Sequence, residues 1–160
     1  MRKTIGVALL AALVLATGAL ASQQKDTFNL TANLKARSEV PKPTGVSTSA
    51  VGLFTAKAVE LANDQVKITW KLTFKHLTGA AGASHIHLGK PGVAGPVVGA
   101  LCGPCKSGQT GTVTLTHDQW QKVKAGGGYV NVHTAKNPGG EIRGQIKSSK
   151  AGSGSAGYGS

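Results

Sequence analysis

The sequence predicts an all-β fold, a two-layer antiparallel sandwich with Greek-key connections and one short helix. Three observations carry this. About eight short segments alternate apolar and polar residues with a period of two, each bounded by turn residues. The 160 residues include 23 glycines but only three Phe, two Trp and two Tyr, a composition suited to short strands and tight turns packed on Val, Leu, Ile and Ala. The crossover helices that parallel sheets require do not recur.

The first strand follows from Phe28, Leu30, Ala32 and Leu34, and Pro41 and Pro43 then impose a turn or extended loop over 39–45. A second strand is expected from Ala50 to Leu61, ending at Asn63-Asp64. From Val66 to Lys75 every even position is apolar and every odd one is Lys or Thr, which describes a strand with one buried and one wet face. Lys67, Lys71 and Lys75 line the wet face, either as a solvated row that blocks edge pairing or as an anion-binding stripe. Shorter strands are expected at His85–Leu88, Pro96–Leu101 and Thr110–Thr116. Thr116 and Gln119 fit a capping box that opens a helix of about two turns, stopped by Gly126-Gly127-Gly128. Strands at Tyr129–Thr134 and Glu141–Lys147 flank Asn137-Pro138-Gly139-Gly140 and should form a hairpin. From Ser148 to Ser160 the chain is mostly Ser, Gly, Ala and Lys, and a disordered tail is expected.

Arg2-Lys3, an uncharged apolar run and Ala19-Leu20-Ala21 describe a secretory signal peptide over residues 1–21, cleaved after Ala21. One exported domain over 22–147 follows, secreted or periplasmic, with no later stretch long and apolar enough for a transmembrane segment. The formal charge of +12 favours anionic envelope or matrix components as partners, and outside the cytoplasm it does not favour nucleic acid.

Three of the five histidines fall on strand-like alternations. His85 and His87 share one strand face, as do Tyr129, Asn131 and His133. If the strands are neighbours, three imidazoles converge, either as a copper or zinc site or as a structural cluster bonded to loop carbonyls. Glu141, across the hairpin from His133, is a candidate fourth ligand or hydrogen-bond acceptor. Cys102-Gly103-Pro104-Cys105 has the string of a redox-active pair but no helix after it. In an oxidising compartment a local disulfide is expected, with soft metal ligation beside His85 or His87 and thiol exchange as the other readings. Glu141 and Arg143, two apart, read as a surface ion pair or as contacts to loop backbone. A nucleophile elbow, a phosphate-binding loop and a carboxylate acid/base pair are all missing, which points to a binding module and not to an enzyme.

Glu39-Val40-Pro41, His85-Ile86-His87-Leu88-Gly89, the 92–97 stretch and above all Tyr129–Thr134 followed by Pro138–Gln145 resemble the CHRD domain, a module named from chordin. The likeness spans Phe28 to Ile146. It implies an immunoglobulin-like β-sandwich and a secreted or surface role with no established activity. A second, weaker similarity is to copper/zinc superoxide dismutases, which implies a superoxide-dismutase-like sandwich with His85, His87 and His133 as copper ligands and a matching redox activity. Between Leu88 and Thr116 there is no histidine, so counterparts of the bridging and zinc ligands are missing and at most a mononuclear site remains.

Overall fold

The computed structural model describes residues 26–61 and 63–152. Nine antiparallel strands run through them: β1 (Thr27–Lys35), β2 (Val51–Glu60), β3 (Gln65–Lys75), β4 (Ala81–Leu88), β5 (Val97–Cys102), β6 (Gln109–Thr116), β7 (Gly128–Thr134), β8 (Ile142–Gln145) and β9 (Lys147–Lys150). One helix, α1 (His117–Lys122), precedes β7. The strand order is β5-β4-β7-β8-β1-β2-β3-β6, with β9 also paired to β1. Non-consecutive neighbours make the connections Greek-key in kind, and Val113 of β6 lies against Gly99 of β5, so the two ends of the sheet meet in a closed, barrel-like sandwich.

The alternation in the sequence sets which face is buried. Phe28, Leu30, Ala32 and Leu34 of β1, Phe54 and Ala58 of β2, and Val66, Ile68, Trp70 and Leu72 of β3 point inward. Ile86 of β4, Val130 and Val132 of β7, Ile142 of β8 and Ile146 meet them from the other side. Each fully buried aliphatic side chain here contributes about 1.5–3 kcal/mol of transfer free energy. Trp120 of α1 closes one end, its ring 5.2 Å from that of Phe28 and its Nε1–H donating to Glu60 at 2.8 Å.

The expected capping box is present: Gln119 N–H donates to Thr116 Oγ1 at 3.3 Å and Thr116 N–H to Gln119 Oε1 at 2.9 Å. After a single wider turn, Gly126 takes φ +82°, a conformation open to glycine, and ends the helix. The β7–β8 hairpin forms as read, with Tyr129 opposite Gln145 and Val132 opposite Ile142.

Two expectations are corrected. β3 lies between β2 and β6, so Lys67, Lys71 and Lys75 guard no sheet edge. The tail does not begin at Ser148, because Lys147–Lys150 form β9, with Thr31 opposite Lys147 and Phe28 opposite Lys150. β8 meets β1 only at Arg143 and Lys35, which leaves the other half of β1 without backbone partners on that side. Ser and Lys residues serve there because ladder bonds are made by backbone and need no apolar side chain. Positions 153–160 and the signal peptide expected over 1–21 lie outside the described residues, and no helix among the described residues is long and apolar enough to cross a membrane.

Candidate metal centre

β4 and β7 are hydrogen-bonded neighbours, so the two histidine segments share one sheet face. His85 stands opposite Asn131, His87 opposite Tyr129, and the small Ala83 opposite His133. Because Ala83 fills so little space, the His133 ring leans diagonally onto His85, with centroids 5.0 Å apart. The His85 and His87 rings are 5.7 Å apart. One ring nitrogen from each of the three lies within 4.8 Å of the others.

The hydrogen bonds around the rings assign their protons. His87 Nδ1 lies 2.9 Å from the Gly95 carbonyl and His133 Nδ1 lies 2.9 Å from the Pro138 carbonyl. A carbonyl only accepts, so His87 Nδ1 carries the proton and its Nε2 a lone pair. His87 Nε2 is buried without a partner. His133 Nε2 faces His85 Nδ1 at 3.1 Å and Asn131 Oδ1 at 3.0 Å, so both nitrogens of His133 lie against an acceptor oxygen. Burial, then the neighbouring imidazoles His133 and His87, hold His85 below the usual histidine range. Burial likewise leads in holding His87 low, outweighing the help of its bond to Gly95. Both rings therefore stay neutral to lower pH than an isolated imidazole, the form a metal ion needs.

The surroundings are built as carefully as the cluster. The loop from Gly89 to Pro96 crosses the face, held by Leu88 N–H to the Pro96 carbonyl at 3.0 Å and by Gly95 N–H to the Tyr129 hydroxyl at 3.1 Å. Any side chain at Gly95 would collide with the Leu88 carbonyl. Tyr129 stacks on His87 with ring centroids 4.7 Å apart and carries the Arg143 guanidinium 3.4 Å from its ring centre. Arg143 is buried and donates to the Lys90 carbonyl at 3.0 Å. The backbone-contact reading of Arg143 therefore holds, and the surface ion pair with Glu141 does not.

Glu141 is also fully buried and lies apart from the histidines. Its carboxylate accepts from Thr78 N–H at 2.6 Å, from the Thr78 and Thr134 hydroxyls, and from the Asn137 amide at 3.2 Å. Burial alone would raise its pKa; the hydrogen bonds from Thr134, Thr78 and Asn137 outweigh that and lower it. With both oxygens engaged, it serves as the clamp of the hairpin loop and not as a fourth ligand. Asn137 extends the clamp, accepting from Thr44 N–H at 2.8 Å.

Cys102 and Cys105 form the disulfide, so neither sulfur is free for soft ligation or thiol exchange while it is intact. A turn into β6 follows, with no helix to activate a thiol. Gly95, Pro138 and Glu39 stood in the strings that carry the family resemblance, but no role at this face was assigned to them from sequence. The carbonyls gave no signal, since any residue type supplies one, and Glu39 stood in a proline-rich turn that ordinarily faces water.

The architecture and this histidine face define a closed antiparallel sandwich with a polar cluster under a loop. Within that class, the CHRD domain family matches residues 30–146, and the chain belongs to that family. No curated protein and no solved structure matches the chain.

Proposed function

We propose that this CHRD domain is a metal-binding module of an exported protein, holding one copper or zinc ion through His85, His87 and His133. One observation carries the reading: His87 Nε2 is buried and unpartnered, in a ring whose Nδ1–H is fixed by a carbonyl, beside two further imidazoles within reach. A metal-ligating histidine ordinarily donates its other N–H to such an acceptor. Nitrogens no more than 4.8 Å apart share a point within about 2.8 Å of each, so side-chain shifts below about 1 Å reach the usual bond of about 2.0–2.1 Å. Three imidazole nitrogens suit either ion. The disulfide fits an oxidising compartment, in keeping with export.

The test is metal content by mass spectrometry after loading with copper or zinc and desalting. Wild type should retain about one ion per chain, and His87→Ala none, while His117→Ala, on the helix, should match wild type. Wild-type protein that retains no metal would contradict the proposal.

A further inference from the structure

β9, β1, β2, β3 and β6 turn one whole face outward, and among the described residues no Asp or Glu side chain stands on it. The register aligns Lys35, Val51 and Lys75 across one end, then Lys147, Thr31, Thr55, Lys71 and Thr110 further along, with Lys57 and Lys67 beyond. The acidic residues lie elsewhere. Glu39 and Glu141 are buried, Glu60 is taken up by Trp120 and Lys124, and Asp118 is on α1. Asp26 and Asp64 sit at the far end of β1 and β3, about 30 Å from Lys35 and about 36 Å from Lys75 by strand rise. The face is thus basic throughout and most so at the Lys35 end.

That end is also concave. A cleft of about 400 Å³ is lined by the exposed Lys35, Arg37, Lys42, Ser47 and Thr48 and by the half-buried Val46 and Val51. Lys42 donates to the Arg37 carbonyl, which holds the loop together. A second cleft of about 610 Å³ shares Lys35 and Val51 and continues across the sheet to Phe74 and Lys75.

We propose that these adjoining clefts bind an acidic polysaccharide, a chain of carboxylated or sulfated sugar rings. Rings would lie on the small apolar side chains, their hydroxyls on Ser47 and Thr48, and their acid groups on Lys35, Arg37, Lys42 and Lys75. The chemistry disfavours other polyanions. A lipid surface calls for protruding apolar anchors, and the exposed large apolar residue on this face is Leu53, in a cleft wall. Single-stranded nucleic acid calls for exposed aromatic stacking platforms, and among the described residues no Phe, Trp or Tyr is exposed. The site is separate from the histidine cluster and stands or falls independently of it.

The experiment is binding of the full mature chain to polygalacturonate oligomers, with neutral dextran, phosphatidylglycerol vesicles and duplex DNA alongside. Binding to the acidic oligomer should weaken as salt rises. The variant Lys35→Ala/Arg37→Ala/Lys42→Ala should lose at least tenfold in affinity. Lys90→Ala/Lys122→Ala/Lys150→Ala, with the same loss of charge away from the cleft, should stay within twofold, and melting curves of both variants should overlay wild type. Equal losses in the two variants, tighter binding to vesicles or DNA, or no binding to the oligomer would each overturn the proposal.

Discussion

Glu39 shows how one residue can set the pH response of the domain. Its carboxyl is buried beside a hairpin turn, with Oε1 accepting from Val40 N–H at 3.0 Å and Oε2 unpartnered. Burial pushes it up to about 7, against the pull of that N–H and of the Arg143 charge. An acid raised on folding favours the native state below its unfolded value of 4.5, and that contribution is lost as pH rises through about 7. Glu39→Gln should therefore flatten the fall in stability between pH 5 and pH 8, by on the order of 2–3 kcal/mol. Urea unfolding at the two pH values checks this; an unchanged difference between them would count against it. Glu141 runs the other way. Its lowered pKa means that it stabilises the fold above its ordinary value of 4.5 and loses that effect as pH falls through its folded value. Glu141→Gln should cost on the order of 3 kcal/mol at pH 7 by strand-end fraying and lost hydrogen bonds, read from the denaturation midpoint. Neither role could be read from sequence. A carboxylate in a turn and another beside an arginine both have solvent-exposed defaults, and only tertiary packing removes the water.

Among the elements, those with local causes were legible in advance. The β3 alternation, the Thr116 capping box and the Asn137–Gly140 turn each specify their own geometry within a few residues, and all three took the expected form. β9 was not legible, since its reason is an unfilled backbone row on β1 and not its own side chains. The bend between β8 and β9 has a sequence marker only in hindsight: Gly144 passes so close to β1 that a Cβ there would lie 2.5 Å from the Asn33 carbonyl. Gly144→Ala should therefore destabilise the domain by about 1–3 kcal/mol through this overlap, measured as a lowered denaturation midpoint. A midpoint equal to wild type would show that β1 and β8 can part without cost.

At the scale of the whole molecule, the sandwich brings together two strands whose histidine alternations lie far apart in the chain, and it buries the polar face between them under a loop. The pairing of β4 with β7 was conditional in the sequence, because alternation fixes which side a ring faces but not which strand lies next to it. Histidine cluster and clamp were separated only by the fold, with His85, His87 and His133 in one group and Glu141 apart from them. Metal bound only to the native state stabilises it by mass action, about 2.7 kcal/mol at a free concentration of 100 times Kd. Zinc at that level should raise the melting temperature by about 8–10 °C in wild type and leave His87→Ala unmoved. The most direct measurement is X-ray absorption at the metal edge of the loaded protein. Three imidazole nitrogens at about 2.0–2.1 Å are predicted; a shell with one imidazole or none would contradict the three-histidine centre.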